Sequence, residues 1–256
     1  MEQQTSGLDH LTKHTDKEIT ATTELCHLFE SSSLPLDQRL RDFPRHTRRQ
    51  DLARFLAKYE LFKQSLSANG SIVECGVYAG GGITSWMHFS SILEPYNHSR
   101  RVIGFDTFTG FPAIHPKDTG GTSEHLYTRG FQVGAEAKRE LEHFVQVHDH
   151  NRPLGHIPKI ELVEGDACQT IPNYLEKHPY LIVSLLYLDF DIYEPTKAAL
   201  THLYPRVVKG GVVAFDELNC AEFPGETIAL LETIELARVP LHRFPFDPYI
   251  SYFVKE

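Results

Sequence analysis

Five short apolar runs between residues 71 and 217 of this 256-residue chain contain acidic residues or are followed by them. A single acidic residue at the end of a strand commonly caps the helix that follows. Five at one edge of a sheet repel each other unless a cation or a hydroxyl-rich ligand offsets their charge. The pattern therefore predicts a binding site built from carboxylates. The residues are Glu74, Asp106, Glu164 with Asp166, Asp189 with Asp191, and Asp216 with Glu217.

Three of these carboxylates are candidate metal ligands: Asp189, Asp216 and Glu217. Oxygen ligands without Cys or His favour Mg²⁺, Mn²⁺ or Ca²⁺ over zinc. Asp191 competes with Asp189, because strand alternation places both on one side only if the strand continues that far. We predict a divalent-cation site here.

A glycine-rich loop, GVYAGGG at 76–82, follows the first apolar run. Glycines let a backbone turn tightly and approach a ligand closely. Tyr78 stands where the dinucleotide fingerprint needs its second glycine, and Glu74 suits a cationic or zwitterionic ligand. Asp106 could accept hydrogen bonds from a ribose diol. These features favour an adenosine-type ligand with an amino-acid tail, with NAD or a ligand-free turn as alternatives.

Short apolar runs alternate with helical patterns from residue 71 onward, which is typical of an α/β fold with a parallel sheet. Ligands of such sheets bind at the carboxyl ends of the strands. We expect the fourth and fifth strands to be neighbours, so that their carboxylates converge. The predicted strands are 71–77, 101–106, 159–163, 181–188 and 211–215, with a closing pair at 241–246 and 249–254.

The chain is predicted to contain an N-terminal helical extension, 1–70, and a domain at 71–256. Residues 1–18 are expected to fray, and the helical pattern from Thr20 to Ser67 is broken at 42–44 by Asp-Phe-Pro. The Gly-, His- and Thr-rich segment 107–158 interrupts the alternation. A segment of that length is usually a lid or disordered.

The composition excludes several classes of protein. With 41% hydrophobic and 23% charged residues, the chain is neither disordered nor a coiled-coil rod. A net charge of -9 argues against nucleic-acid binding. The four cysteines lack metal-binding spacing and are read as free thiols. A polar N-terminus and the absence of a membrane-length apolar run predict a cytoplasmic protein without membrane contact.

Six arginines lie within residues 39–54 of this acidic chain. They could form a solvated helix face. Alternatively, Arg45 and Arg48 could bind a diphosphate, because guanidinium groups match phosphate oxygens. The second interpretation would indicate a ligand that carries a diphosphate group. The six are Arg39, Arg41, Arg45, Arg48, Arg49 and Arg54.

Four segments resemble the macrocin O-methyltransferase family, the class I S-adenosylmethionine (SAM)-dependent sugar O-methyltransferases of antibiotic biosynthesis. The longest, LDFDIYEPTKAALTHLYPRVVKGGVVAFDE at 188–217, is the most specific. The others are VECGVYAGGG at 73–82, GFDTFTGFP at 104–112 and EGDA at 164–167. The resemblance covers about residues 70–220.

The resemblance implies a doubly wound, mostly parallel, seven-stranded Rossmann-like sheet with an antiparallel last strand. It implies that the glycine loop holds the methionine end of SAM, that Asp106 holds the ribose, and that Asp166 and Ala167 lie beside the adenine. It places Mg²⁺ or Mn²⁺ on Asp189, Asp216 and Glu217. The expected SAM-binding residues are Glu74, Gly76, Tyr78, Ala79, Gly80, Thr84, Asp106, Thr107, Asp166 and Ala167.

The resemblance implies transfer of a methyl group from SAM to a hydroxyl of a deoxysugar in antibiotic biosynthesis. A diphosphate bound by Arg45 and Arg48 would make the expected acceptor a nucleotide-activated sugar of the TDP type. Asp189 is the predicted general base, and His115 and His125 are competing candidates and substrate contacts. Glu217 departs from the family's paired Asp-Asp, so it could bind metal through water. An acceptor sugar already attached to an aglycone and a non-catalytic SAM-binding protein remain alternatives. We expect a homo-oligomer.

Overall fold

The computed structural model describes residues 15–256. The chain divides into two compact units, Met1–Leu56 and Ala57–Glu256. The division falls inside a helix, 14 residues before the predicted domain boundary at 70, which stays a prediction.

Helices make up the described part of the first unit. They are α1 (Asp16–Ser31), α2 (Leu36–Arg41) and the beginning of α3 (Arg49–Ser65). A 3₁₀ turn at Phe43–Arg45 confirms the predicted break. Residues 1–14 lie outside the described residues. The expected fraying is wrong for residues 16–18, because Thr15 and Glu18 form a capping box that starts α1.

The second unit alternates strands and helices, as predicted. Its elements are β1 (Ser71–Cys75), α4 (Gly81–Leu93), β2 (Val102–Asp106), α5 (Gly134–His150), β3 (Ile160–Glu164), α6 (Ala167–Lys177), β4 (Val183–Leu188), α7 (Tyr193–His202), β5 (Val207–Phe215), α8 (Pro224–Thr233), β6 (His242–Arg243) and β7 (Ser251–Val254). Further 3₁₀ turns lie at Tyr204–Arg206 and Leu236–Arg238.

The seven strands form one sheet in the order β3-β2-β1-β4-β5-β7-β6. Strands β1 to β5 are parallel, and β7 runs antiparallel to β5. The expected doubly wound sheet with an antiparallel last strand is therefore confirmed. β4 and β5 are neighbours, with Leu188 opposite Phe215, and Cys75 of β1 lies opposite Leu188.

Hydrophobic cores cover both faces of the sheet. β1 and β4 consist entirely of buried residues, as expected for central parallel strands between two helical layers. One core gathers around Phe105, Leu186 and Phe215. The other gathers around Trp86 and Tyr187, whose rings meet edge to face at 5.5 Å. This packing fixes the strand ends that carry the acidic residues.

Residues 107–133 of the segment 107–158 form turns and bends, and most of its second half is the amphipathic helix α5. The sequence analysis did not predict this helix. α5 packs on the glycine loop through Leu141, whose side chain lies against Gly80. It also contacts α4 through His88 and His148, with ring centroids 4.6 Å apart.

The four cysteines are free thiols, as predicted. Between residues 15 and 256, no helix is both long enough and apolar enough to pass through a bilayer.

Candidate active site

The carboxyl ends of β1, β4 and β5 lie in one row. The Asp189 amide donates a hydrogen bond to the Cys75 carbonyl (2.7 Å), and the Asp216 amide donates to the Leu188 carbonyl (2.9 Å). The glycine loop and the two predicted metal-binding segments therefore leave the sheet side by side. This arrangement brings together the three groups whose convergence the sequence predicted.

Gly76 lets the glycine loop lie against the end of β4. Its φ is +97°, and a Cβ added there would lie 1.9 Å from the carbonyl oxygen of Asp189. Any larger residue would force the two chain segments apart. The close approach of loop and strand thus depends on this glycine.

Asp106 organises the glycine loop. Its Oδ2 accepts hydrogen bonds from the amides of Val77 (2.7 Å) and Tyr78 (2.8 Å), and its Oδ1 accepts one from the Phe108 amide (2.6 Å). These bonds hold Tyr78 in a left-handed conformation, with φ +50°. Asp106 therefore has a structural role that the sequence did not indicate. Its predicted contact with a ribose stays a prediction.

Glu74 lies in the interior beneath the glycine loop and is only 1% exposed. Lys58 of α3 lies 3.6 Å from its Oε1. Burial raises the pKa of Glu74 to about 7, although Lys58 acts in the opposite direction. The predicted contact with SAM stays a prediction. The sequence analysis missed Lys58, because a lysine within a helical pattern is usually solvated.

The remaining predicted SAM contacts lie around the loop and the two outer strand ends. Gly80 is the left-handed N-cap of α4, and Thr84 Oγ1 donates to the Gly80 carbonyl (2.8 Å). Ala79 is exposed beside them. Thr107 Oγ1 donates to the Gly110 carbonyl (2.7 Å).

Asp166 caps α6, the helix that begins at Ala167. Its Oδ1 accepts a hydrogen bond from the Cys168 amide at 2.9 Å. This is the ordinary capping role of an aspartate at a helix start. The cap fixes Asp166 and Ala167 at the end of β3, which leaves their predicted place beside the adenine as a prediction.

Five carboxyl groups influence each other at the ends of β4 and β5. Burial raises the pKa of Asp191 well above its usual range, and the neighbouring carboxylates raise it further. The group includes Glu226 in the first turn of α8, which the sequence analysis missed. We call this group the carboxylate cluster: Asp189, Asp191, Asp216, Glu217 and Glu226.

Glu226 is fully buried and folds back onto the cluster. Its Oε1 accepts a hydrogen bond from the Glu217 amide (3.2 Å), whereas its Oε2 has no hydrogen-bond partner. Burial is the main cause that raises the pKa of Glu226 well above its usual range, and repulsion from Asp216 is the second. A buried, unsatisfied carboxylate oxygen is costly unless a proton or a cation meets it.

The donor chemistry of the carboxylate cluster fits a hard divalent cation, since every side chain offers only oxygen. Positive charge at this point would also offset the mutual repulsion of the carboxylates. No three His, Cys, Asp or Glu side chains of residues 15–256 already stand in an arrangement that could hold a metal. Cation binding would therefore require rotation of these side chains.

The two candidate histidines lie in the segment 107–158, called the lid below, and occupy different surroundings. The His115 ring is tilted against the Tyr193 ring, with centroids 4.7 Å apart. Its Nδ1 accepts a hydrogen bond from the Lys117 amide (3.1 Å), and its Nε2 lies 3.4 Å from Glu194. Both ring nitrogens of His115 therefore have protein partners. The ring of His125 lies 4.7 Å from that of Phe131.

Phe131 connects the lid to the glycine loop. Its ring meets the ring of Tyr78 edge to face at 6.0 Å. Tyr78 itself is 43% exposed, so a ligand can reach it. The ring of Phe131 also contacts the rings of Phe111 and Phe223.

Several of the six arginines have local partners in the first unit. Arg48 forms two hydrogen bonds with Asp51 (2.8 and 2.6 Å), and Arg39 donates to the Phe29 carbonyl (2.5 Å). Arg45 is exposed. A diphosphate would have to displace Asp51 from Arg48, so Arg45 is the more accessible of the two predicted contacts.

The model of the macrocin-O-methyltransferase (TylF) family matches residues 48–230, well over half of the chain. The chain belongs to the macrocin-O-methyltransferase family. The match contains the glycine loop, the lid and the whole carboxylate cluster. The resemblance inferred from the sequence is therefore confirmed, and family membership removes the dehydrogenase alternative.

Two solved structures and one curated protein show how similar the relatives are. The crystal structure of CalS11, a calicheamicin methyltransferase, has 34% identity and a TM-score of 0.90, covering 94% of this chain and 93% of that one. A second structure, apo CalS11, is described as a TDP-rhamnose 3'-O-methyltransferase. It has 31% identity and a TM-score of 0.82, covering 94% of this chain and 95% of that one.

The curated protein is mycinamicin III 3''-O-methyltransferase of Micromonospora griseorubida. It is 28% identical over 156 residues, which are 58% of this chain and 55% of that protein. The chain thus spans about half the length of the curated relatives it matches.

Proposed function

We propose that this member of the macrocin-O-methyltransferase family transfers a methyl group from SAM to a hydroxyl of a deoxysugar in antibiotic biosynthesis. The observation that carries the proposal is the placement of the glycine loop beside the carboxylate cluster. A methyl donor on the loop would face an acceptor held by the carboxylates. The proposed acceptor is a nucleotide-activated sugar of the thymidine-diphosphate type.

The donor side is formed by the loop that Asp106 and Gly76 hold in place. Its exposed backbone and Tyr78 would bind the amino-acid end of SAM, and Asp106 has lone pairs left for the ribose. SAM supplies the electrophilic methyl group when bound. The chain's own contribution is to fix the donor before the acceptor arrives, which lowers the entropic part of the barrier.

The acceptor side is the carboxylate cluster. Asp189, Asp216 and Glu217 would hold Mg²⁺ or Mn²⁺, Glu217 directly or through water. When bound, the cation supplies a template and a Lewis acid for vicinal hydroxyls. Asp189 lies closest to the glycine loop along the strand row and is the proposed acceptor of the hydroxyl proton.

The nature of the acceptor is supported from two sides. Apo CalS11 is described as a TDP-rhamnose 3'-O-methyltransferase, whereas the curated relative is named for mycinamicin III. Identity and coverage are both higher for CalS11. The exposed guanidinium of Arg45 is a candidate diphosphate contact.

The proposal is tested by a product screen coupled to binding measurements. Calorimetry with SAM and NAD should show binding of SAM alone. Mass spectrometry across nucleotide sugars and matched glycosides should then find products heavier by one methylene group. Binding of SAM without turnover of any sugar would favour the non-catalytic alternative. Turnover of glycosides alone would overturn the nucleotide-sugar acceptor.

A further inference from the structure

Asp118 is a buried acid in the first half of the lid, and the sequence analysis gave it no role. It is 1% exposed. Its Oδ1 accepts a hydrogen bond from the Tyr193 amide at 2.9 Å, and its Oδ2 accepts one from the His115 amide at 3.0 Å. A single carboxylate thus ties the lid to the first residue of α7, 75 positions further along the chain.

The first turn of α8 leaves room for this carboxylate. A Cβ added to Gly225 would lie 1.8 Å from Asp118 Oδ1, so only glycine allows the contact. The neighbouring backbone is bonded as well. The amides of Thr122 and Ser123 donate to the carbonyls of Ala221 and Glu222, at 3.2 and 3.4 Å.

Charged residues nearer the surface make further contacts between the lid, α7 and α8. Lys117 donates to the Tyr193 hydroxyl (2.9 Å) and to Glu232 of α8, and the Tyr193 hydroxyl donates to Glu232 (2.8 Å). The ring of His115 also contacts the Tyr193 ring. The side chains of His115, Lys117 and Glu232 are more exposed than that of Asp118, so their ion pairs contribute less than the buried contact.

The part of the lid that Asp118 attaches to α7 also contains the aromatic residues that reach the glycine loop. Phe111 packs with Ile192 and Phe223 in a small core beside Asp118, and Phe131 lies against it. Phe111 and Arg129 are joined by a backbone hydrogen bond of 2.8 Å, which closes residues 111–129 into a loop. Phe131 then meets Tyr78. Contacts therefore run continuously from Asp118 to the proposed methyl-donor loop.

We propose that Asp118 is a positioning residue for methyl transfer. Asp118 fixes residues 107–133, the lid loop, to the starts of α7 and α8. The lid loop is thereby held next to the glycine loop, where it would line the acceptor site. This inference rests on the proposed function for its link to the acceptor. It also gives His115 a structural role, in which its contacts help to hold the lid loop. This replaces the general-base role that the sequence analysis considered.

The test compares Asp118→Ala and Asp118→Asn with Asp149→Asn, a matched control. Asp149 is also buried and accepts a hydrogen bond from Arg152 (2.7 Å), but it lies in α5 outside the lid loop. Loss of a buried hydrogen bond to a charged group should speed tryptic cleavage after Arg129 about tenfold. The acceptor KM should rise by a similar factor, with the Kd of SAM unchanged.

Two further variants cover the case in which Asp118→Ala does not fold. Gly225→Ala pushes on the carboxylate from the opposite side and should reproduce the effect. Lys117→Met alters an exposed side chain and should shift both readouts in the same direction by a smaller factor. Asp149→Asn should match the wild type in both.

Three results would overturn the inference. The first is that the folded Asp118 variants are cleaved at the wild-type rate. The second is faster cleavage with an unchanged acceptor KM. The third is a loss of SAM affinity as large as the rise in acceptor KM. Proteolysis uses neither SAM nor sugar. A wild-type enzyme that methylates no sugar would therefore refute the proposed function while the cleavage rates still test the fixing of the lid loop.

Discussion

The hydroxyl of Tyr187 donates a hydrogen bond to Oδ1 of Asp216, and both side chains are buried. The ammonium of Lys58 lies 4.5 Å from the centre of the Tyr187 ring and 3.6 Å from Glu74. A chain of buried polar contacts thus connects α3 with the carboxylate cluster. Such outer contacts orient carboxylates that bind metals.

Tyr187→Phe should therefore weaken the binding of Mn²⁺ without affecting SAM. Loss of a supporting hydrogen bond typically lowers metal affinity about 10- to 100-fold. Electron paramagnetic resonance of added Mn²⁺ measures this directly, without turnover. Tyr174→Phe is the matched control, because the Tyr174 hydroxyl bonds Glu161 on another part of the sheet. Equal Mn²⁺ affinities in the wild type and Tyr187→Phe would contradict the supporting role.

Glu74 should make the stability of the protein depend on pH. Its pKa is raised to about 7 in the fold, against about 4.3 in an unfolded chain. Between these values the folded state holds the proton more tightly, so stability falls as pH rises and the loss is complete above about 7. At about 1.4 kcal/mol for each pKa unit, the loss is on the order of 4 kcal/mol.

Denaturant unfolding from pH 4 to 8 checks this expectation. The free energy of unfolding of the wild type should fall relative to that of Glu74→Gln as the pH rises. Because Lys58 is present in both proteins, the difference isolates the carboxyl group. A difference that stays constant, or one that grows in favour of the wild type, would contradict the raised pKa.

Asp106→Ala should weaken SAM binding by at least ~1.5–3 kcal/mol, because it removes the acceptor of two amides of the glycine loop and of the Phe108 amide. A 2'-deoxy analogue of the cofactor separates this role from a direct ribose contact. If Asp106 also binds the ribose, the wild type should discriminate against the analogue, and Asp106→Asn should lose that discrimination. Calorimetry showing unchanged SAM binding to Asp106→Ala would refute both roles.

The sequence predicted the sheet and the convergence of Asp189 with Asp216, because both depend on local patterns. An apolar run marks a buried strand, and the residue after it must lie at the carboxyl edge. The contacts of Glu226, Lys58 and Asp118 were not predicted. Each depends on a long-range approach of two elements, which periodicity does not encode. α5 was also missed, because its Gly- and His-rich surroundings resembled a loop.

The arginine hypothesis gives a test of the acceptor class. Arg45→Ala with Arg48→Ala should raise the KM for a nucleoside-diphosphate sugar and leave SAM affinity unchanged. Loss of two phosphate contacts would cost roughly 3–6 kcal/mol, and added salt should shrink the effect. The control is the same sugar as a simple glycoside. Equal kcat/KM for both acceptors in the wild type would contradict the diphosphate contact and favour the interpretation of these arginines as a solvated helix face.

The central claim is that the glycine loop and the carboxylate cluster form one site for methyl transfer. The most direct measurement follows a deuterated methyl group from labelled SAM to a thymidine-diphosphate deoxysugar, before and after removal of metal ions with EDTA. The wild type should label one sugar hydroxyl only when Mg²⁺ or Mn²⁺ is present. Asp189→Asn and Asp216→Asn should bind SAM normally without transferring the label. Full transfer by the metal-free enzyme or by either variant would contradict the account.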